Sequence, residues 1–321
     1  MIKLIIRVKD IIYLILDKKL FIISIINLFL AYKIYDYLKV KEKKIVKIPI
    51  AMNTSNDYIY QTLVTLTSLS ENSNKDNKYD IYVLIPKNFL IDYRLKILQL
   101  ELKYKNINIK LIESEEPYVK FENYNSKFSK LFFHQLIPGY DKIIYINWDT
   151  LIFSDLEDLF NIDLENYYFS GFSSNENYSL YNNKFNLSLD KFINTNAMLI
   201  NTKKLNEDNK INLFKKIYGE NKTIKEKIML NILFNNETII LPPKYGMPNF
   251  DSIDDGLKYN EEITNISRYE KEEFISAFYE PYILDLICKP WEKGKECKRT
   301  EVWWYYAKKN IYYNDIKIKY G

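Results

Sequence analysis

From Ile45 onward the apolar and polar positions alternate between two periods. "IVKIPIAMNTSNDYIYQTLVTLTSLSENS" reads as a strand, a polar loop and a helix, and "KYDIYVLIP" as a second strand. "FLIDYRLKILQLELKYKN" is helical, "INIKLIES" is a third strand, and "KFSKLFFHQLIPGYD" reads as a helix leading into the strand of "KIIYINWDTLIFSDL". Strands alternating with helices predict an α/β domain whose sheet is at least partly parallel, with helices on both faces. Ligands of such sheets bind beyond the carboxyl ends of the strands.

The fourth strand ends in Asn147, Trp148 and Asp149. The i, i+2 spacing sends Asn147 and Asp149 to one side and Trp148 to the other. Two oxygen-bearing side chains at such an end suit a hard cation and a diphosphate, although strands also commonly end in polar turns.

The first 45 residues follow a different pattern. The longest uncharged run, Leu20 to Tyr32, falls short of the roughly 17 to 25 apolar residues that span a bilayer. An apolar, basic helix lying on an anionic membrane surface is the reading adopted for residues 1–45, with a true span or packing against protein as alternatives. No small-residue cleavage site follows, so a signal peptide is not expected.

Composition and charge then narrow the function. The chain has 321 residues, 47% of them hydrophobic and 27% charged, enough to bury a substantial core. Residues 1–47 hold 11 Lys/Arg against 4 Asp/Glu, a net +7; the whole chain carries +4, which leaves −3 for the remainder. The domain is therefore not a nucleic-acid binder by charge. Cys288 and Cys297 are the only cysteines, without zinc spacing and too few for a disulfide framework, so a reducing compartment is expected. His134 is the only histidine, which leaves little for a His-rich metal site.

Several blocks in one order carry a family resemblance. "LIPGYDKIIYINWDTLIFSDLEDLF" resembles the central block of the family-eight retaining glycosyltransferases, the glycogenin and lipopolysaccharide galactosyltransferase type, whose strand ends in Asp-x-Asp. "IAMNTSNDYIY" is similar to their first strand and nucleotide loop, and "FINTNAMLINTKKL" to their sugar-binding block. "IMLNILF", "TIILPPKYG", "KPW" and the closing "EVWWYYAKKNIYY" follow in family order, so the resemblance covers about residues 46 to 315. It implies a GT-A type nucleotide-sugar-binding fold with a mixed central sheet. It also implies transfer of a hexose, with retention, from a UDP-sugar to a glycan or lipid-linked acceptor, as in lipopolysaccharide biosynthesis.

The resemblance further implies a division into residues 1–45, a glycosyltransferase domain 46–295 and a C-terminal aromatic helix and tail 296–321. Mn²⁺ or Mg²⁺ is expected on Asn147, Asp149 and Asp285, where it would stabilise the departing diphosphate. Thr54, Ser55 and Asp57 match the nucleotide loop, Tyr58 a ring stacked on uracil, and Asn194 and Thr195 the sugar-binding block. Lys130 and Lys289 match diphosphate contacts. A cytoplasmic enzyme, peripheral at the membrane, is expected.

The motif is degenerate in three places. Asn147 replaces the first aspartate and keeps an oxygen without a charge. The family's histidine before Lys-Pro-Trp is missing; Ile283 or Asp285 takes its place, and Asp285 is preferred because it restores the lost charge, the competing reading being an ordinary loop carboxylate. Lys227 stands where the family has glutamine near the anomeric carbon, and is either a donor or acceptor contact or a solvated lysine. Asp149, Lys227 and Lys130 are the candidate catalytic residues. His134, one turn beyond Lys130, shares its face or simply packs. A catalytically weak or inactive homologue, binding a sugar nucleotide or acting as a membrane-associated partner in glycan assembly, is the alternative function.

Overall fold

The first strand, β1 (Lys47–Asn53), is buried almost throughout because both of its faces are covered. Ile48, Ile50 and Met52 enter one apolar cluster with Ile81, Val83, Ile144 and the helix Ile59–Asn72. Ala51 enters another, with Tyr82, Leu84, Tyr145, Phe133 and Leu230. Period-two alternation thus feeds two cores, one on each face, as expected of a sheet sandwiched between helices. The computed structural model describes residues 26–33, 45–114, 126–174, 192–207, 210–262, 270–294 and 297–321.

Strands β2 (Lys78–Pro86), β3 (Ile107–Ser114) and β4 (Lys142–Ile146) match the expected runs. They are followed by β5 (Thr150–Ile152), β6 (Phe169–Ser173), β7 (Ile193–Asn201), β8 (Thr238–Ile240), β9 (Met247–Pro248) and β10 (Ile283–Asp285). Seven strands form the main sheet in the order β3-β2-β1-β4-β7-β6-β8, and β5-β10-β9 form a second sheet. The β1–β4 and β1–β2 pairs are parallel, whereas β7 runs antiparallel to both β4 and β6. In the β4–β7 register Ile146 faces Ala197, so the beginning of β7 overhangs the carboxyl end of β4.

The expected helix over "KFSKLFFHQLIPGYD" is broken. Ser126–Leu131 forms a tighter 3₁₀ turn, Phe133–Leu136 a single α-turn, and Phe128 leaves helical geometry at φ −115°. Phe128, Leu131, Phe132 and Phe133 are all buried, which one regular helical stripe does not achieve. The breaks let Phe128 and Phe132 both meet Phe214 edge-on while Lys130 stays at the strand ends.

The chain divides into two compact units, residues 1–45 and 46–321. In the second, the helix Thr300–Lys309 lies against the helix Ile59–Asn72, with Trp303, Tyr306 and Ala307 buried. In the first, residues 26–33 are helical and expose Ile26, Leu28, Phe29 and Tyr32. The rest of the segment read as membrane-seeking, 1–25 and 34–44, lies outside the described residues. No helix among the described residues is long and apolar enough to cross a membrane.

Candidate functional site

The turn between β4 and β5 carries Asn147, Trp148 and Asp149. Thr150 Oγ1 donates to the Asn147 carbonyl at 2.7 Å and closes it. Thr65, in the buried Ile59–Asn72 helix, lies 2.8 Å from both the Trp148 and Thr150 carbonyls and pins it from below. Asn147 Nδ2 donates to Asp149 Oδ1 at 2.7 Å, so these two side chains share a side as their spacing requires. Trp148 turns away and stacks on Tyr58, ring centroids 3.8 Å apart and planes 7° from parallel. Beneath Asn147, Tyr145 donates its hydroxyl to Oδ1 at 3.2 Å, and burial holds that phenol well above its ordinary pKa.

The overhang of β7 brings the second set. Asn147 N–H donates to the Asn196 carbonyl at 2.8 Å, and Asn147 Nδ2 lies 3.3 Å from Asn196 Oδ1. Asp285 arrives from β10, opposite Thr150 in the antiparallel β5–β10 register. Its two oxygens accept from Asn194 Nδ2 at 2.6 Å and Asn196 Nδ2 at 2.9 Å. Burial, then the neighbouring Asp149 charge, push its carboxyl up to about 6, against the opposing pull of the two amides and Lys289. Ile283, the alternative position, is wholly buried in the core. Gly171 of β6 admits this loop, since a Cβ there would lie 2.9 Å from the Asn194 carbonyl.

Two lysines complete the array. Lys289 Nζ donates to Asp149 Oδ2 at 2.6 Å and to the Leu286 carbonyl, and stands 5.6 Å from the Trp148 ring centre. Lys130 Nζ is 3.1 Å from Thr195 Oγ1, 3.3 Å from Glu226 Oε2 and 4.7 Å from the Tyr145 ring centre. Lys227 opens into a cavity of about 220 Å³ that Asn194, Thr195, Asn196 and Asp285 also line.

The remaining expected residues are less central. Thr54 Oγ1 shares a 2.6 Å hydrogen bond with Thr62, so its hydroxyl serves the loop's own fold. Ser55 Oγ is enclosed with no hydrogen-bond partner among the described residues, and Asp57 is exposed. Tyr58 keeps 39% exposure above Trp148. His134 is a packed residue: burial lowers its pKa to about 4, and Nδ1 has no partner among the described residues.

Sequence reasoning passed over Glu226 as a site residue. Its carboxylate accepts the Lys130 N–H at 2.8 Å as well as facing Nζ, and so holds the 3₁₀ turn to the helix Glu226–Phe234. A carboxylate opening that helix was the available signal. Asn231 was also missed; its amide accepts from the Ile193 N–H at 2.8 Å and donates to the Ile193 carbonyl at 3.0 Å, which locks the same helix to β7. The cysteine reading needs correction. Cys288 and Cys297 form a disulfide with Cα atoms 5.7 Å apart, because the chain after Lys-Pro-Trp turns back on itself.

The mixed sheet between helices, with Asn147, Asp149, Asp285 and two lysines gathered at its strand ends, is the GT-A type fold of the glycosyltransferases that this chain is similar to. The chain belongs to glycosyl transferase family 8, whose model matches residues 49–270. Among solved structures it is similar to the WbbM bifunctional glycosyltransferase, at 16% identity and a TM-score of 0.70 over 85% of this chain and 52% of that one. It thus spans about half the length of WbbM. It is also similar to the galactosyltransferase LgtC, solved with donor and acceptor sugar analogues, at 15% identity and a TM-score of 0.64 over 82% of this chain and 96% of that one. The glycosyltransferase GlyE of Streptococcus pneumoniae TIGR4 is similar at 22% identity and a TM-score of 0.58, over 81% of this chain and 60% of that one. No curated protein matches the chain.

Proposed function

We propose that this glycosyltransferase is a retaining hexosyltransferase that moves a sugar from a UDP-sugar to a glycan or lipid-linked acceptor with help from Mn²⁺ or Mg²⁺. The observation that carries the reading is the convergence of two buried carboxylates on one set of amides at the strand ends. Asn147 Nδ2 donates to Asp149 and faces Asn196, whose Nδ2 donates to Asp285, and the Asp149 charge helps to raise the Asp285 carboxyl. Such a pair of carboxylates is an oxygen donor set suited to a hard cation that would relieve the repulsion, and Asn147, whose Nδ2 faces Asp149 while its Oδ1 accepts from Tyr145, would add a third oxygen by turning its amide over. Bound there, the ion would neutralise charge on the diphosphate leaving group.

The chain's own residues do the rest. Lys289 and Lys130 place positive charge where the diphosphate departs. Tyr58, backed by Trp148, offers an aromatic face to the uracil, and Thr54, Ser55 and Asp57 form the loop around it. Asn194 and Thr195 hold the sugar, with Lys227 across the same cavity. The solved complex of LgtC with donor and acceptor analogues supports a two-substrate site of this kind. Residues 1–45 would bring the enzyme to a membrane surface, and with it a lipid-linked acceptor.

A second reading, a nucleotide-sugar binder with little turnover, is favoured by one observation. Both Asp149 oxygens already accept from Asn147 and Lys289, and no group of three His, Cys, Asp or Glu among the described residues is arranged to hold a metal. Thermal stabilisation by UDP separates the readings. A shift that requires Mn²⁺ and disappears with chelator, together with release of free sugar from a UDP-sugar, is expected of the enzyme. A shift indifferent to chelator, with no sugar released, would favour the binder.

A further inference from the structure

A second cavity, of about 490 Å³, lies apart from the strand ends, between β10 and the start of the helix Thr300–Lys309. Leu284 lines it, whereas Asp285 lines the smaller cavity at the strand ends. Successive residues of a strand face opposite ways, so this cavity lies on the face of β10 turned away from Asp285. The β5–β10 ladder runs on past Ile152 and Ile283, with the Phe153 N–H donating to the Tyr282 carbonyl at 2.9 Å. Phe153 and Tyr282 therefore stand side by side in its wall, about 10 Å along the strand from Asp285. Both rings are backed from behind: Phe153 leans on Tyr306, centroids 5.9 Å apart, and Tyr282 meets Tyr245 edge-on at 5.6 Å. Tyr279, at the end of the helix Lys271–Tyr279, adds a third ring that is 67% exposed.

Charge decides what such a cavity takes. Glu280 and Glu301 line it with a single cation, Arg299, so carboxylates outnumber guanidinium and a phosphate or nucleotide is disfavoured. Arg299 is itself engaged, its guanidinium 4.4 Å from the Phe278 ring centre and donating to the Phe278 carbonyl. Its backbone is left-handed at φ 62°, a strained conformation for a residue with a side chain, and such strain clusters at ligand sites. A purely apolar ligand is ill suited too, because it would strip water from charged groups. A neutral sugar chain meets both demands. Its C–H faces lie on the electron-rich faces of aromatic rings, and its hydroxyls both donate to carboxylates and accept from a guanidinium. We propose that this cavity is a second carbohydrate site, which holds several rings of a neutral glycan away from the reacting sugar. Its volume is within the roughly 300–1,000 Å³ of ligand sites and more than twice the 220 Å³ at the strand ends. Binding here is independent of the UDP-sugar reading. Its use, to tether an acceptor chain and raise the local concentration of the end to be extended, rests on that reading.

Calorimetric titration of the full chain with maltotriose, cellotriose, galactotriose and triacetylchitotriose, in the absence of UDP and metal, tests the proposal. At least one is expected to bind, and Tyr279→Ala should weaken it about 10-fold. Tyr279 is largely exposed, so thermal unfolding of that variant should match wild type and separate lost binding from lost fold. Asp149→Ala should leave the trisaccharide affinity unchanged. Failure of all four trisaccharides to bind overturns the proposal, and so does an affinity that survives Tyr279→Ala. An affinity that falls with Asp149→Ala instead would put the glycan at the strand ends and overturn it as well. Trisaccharide binding without any stabilisation by UDP, with or without Mn²⁺, would sink the UDP-sugar reading and leave the second site standing.

Discussion

Lys289 Nζ sits 2.6 Å from Asp149 Oδ2, with the two side chains 22% and 8% exposed. The ammonium thus holds one oxygen of the aspartate that would face a diphosphate. Removing one partner of a wholly buried pair costs about 3–5 kcal/mol. Lys289 keeps some access to water, so Asp149→Ala should destabilise by about 2–3 kcal/mol on the same basis. Asp149→Ala/Lys289→Met should lose less than the sum of its single changes by at least about 1 kcal/mol in urea unfolding. Additivity within about 0.5 kcal/mol would show that the pair is not coupled. Asp149→Ala should also abolish any Mn²⁺-dependent UDP stabilisation.

His134 makes the acid side of the stability curve assignable, because it is the only histidine. Its folded pKa of about 4 lies below the ordinary 6.5, and burial is the main cause. The unfolded chain therefore takes the proton first as pH falls. This contribution is intact above pH 6.5, declines as pH drops toward 4, and amounts to about 3 kcal/mol in full. The difference in unfolding free energy between wild type and His134→Leu should shift by that amount between neutral pH and pH 4. A difference independent of pH would mean that His134 titrates normally in the folded protein.

How far the sequence discloses this site depends on the range of each contact. The β2 and β3 strands coincide with runs read from local alternation, and Asn147 and Asp149 share a side because of their spacing alone. Asp285 is found by a charge argument that no local pattern supplies. The Thr65 clamp joins residues 83 and 85 positions apart, and the Glu226 clamp on Lys130 spans 96. Such pairings depend on which strand lies beside which, and periodicity does not encode that. The broken helix at 126–136 has a similar origin, since tertiary burial of four large side chains outweighs local helix propensity.

The Cys288–Cys297 bond closes a short loop next to Lys289. Asn249 holds Cys288 through both its N–H and its carbonyl, each at 3.0 Å, so the bond ties the Lys-Pro-Trp turn to the start of the last helices. A loop of this size contributes roughly 2–3 kcal/mol in the chain-entropy account. Cys297→Ser should lose about that much stability in urea, and a phosphine reductant should lower wild type to the variant's level without affecting the variant. A thiol count on freshly isolated protein also bears on location. A formed bond speaks for an oxidising compartment, whereas two free thiols agree with the cytoplasmic expectation and would remove the stability difference.

Asn147 is where charge can be added without changing shape. Its Nδ2 donates to Asp149 Oδ1 at 2.7 Å and faces Asn196 Oδ1 at 3.3 Å, while its Oδ1 accepts from Tyr145. Asn147→Asp keeps the acceptor but replaces the donor with a second carboxylate oxygen against Asp149, close to the already repelled Asp285. Without a divalent cation the variant should be less stable by about 1–3 kcal/mol, the penalty for an unsatisfied buried polar contact. With Mn²⁺ the loss should reverse, and Mn²⁺ should bind the variant about 10-fold or more tightly than wild type, since the like charges then serve as ligands. Thermal unfolding across a Mn²⁺ titration measures both effects. A variant destabilised equally with and without Mn²⁺ would show that these strand-end oxygens do not share a cation, leaving the lysines as the only positive charge offered to a departing diphosphate.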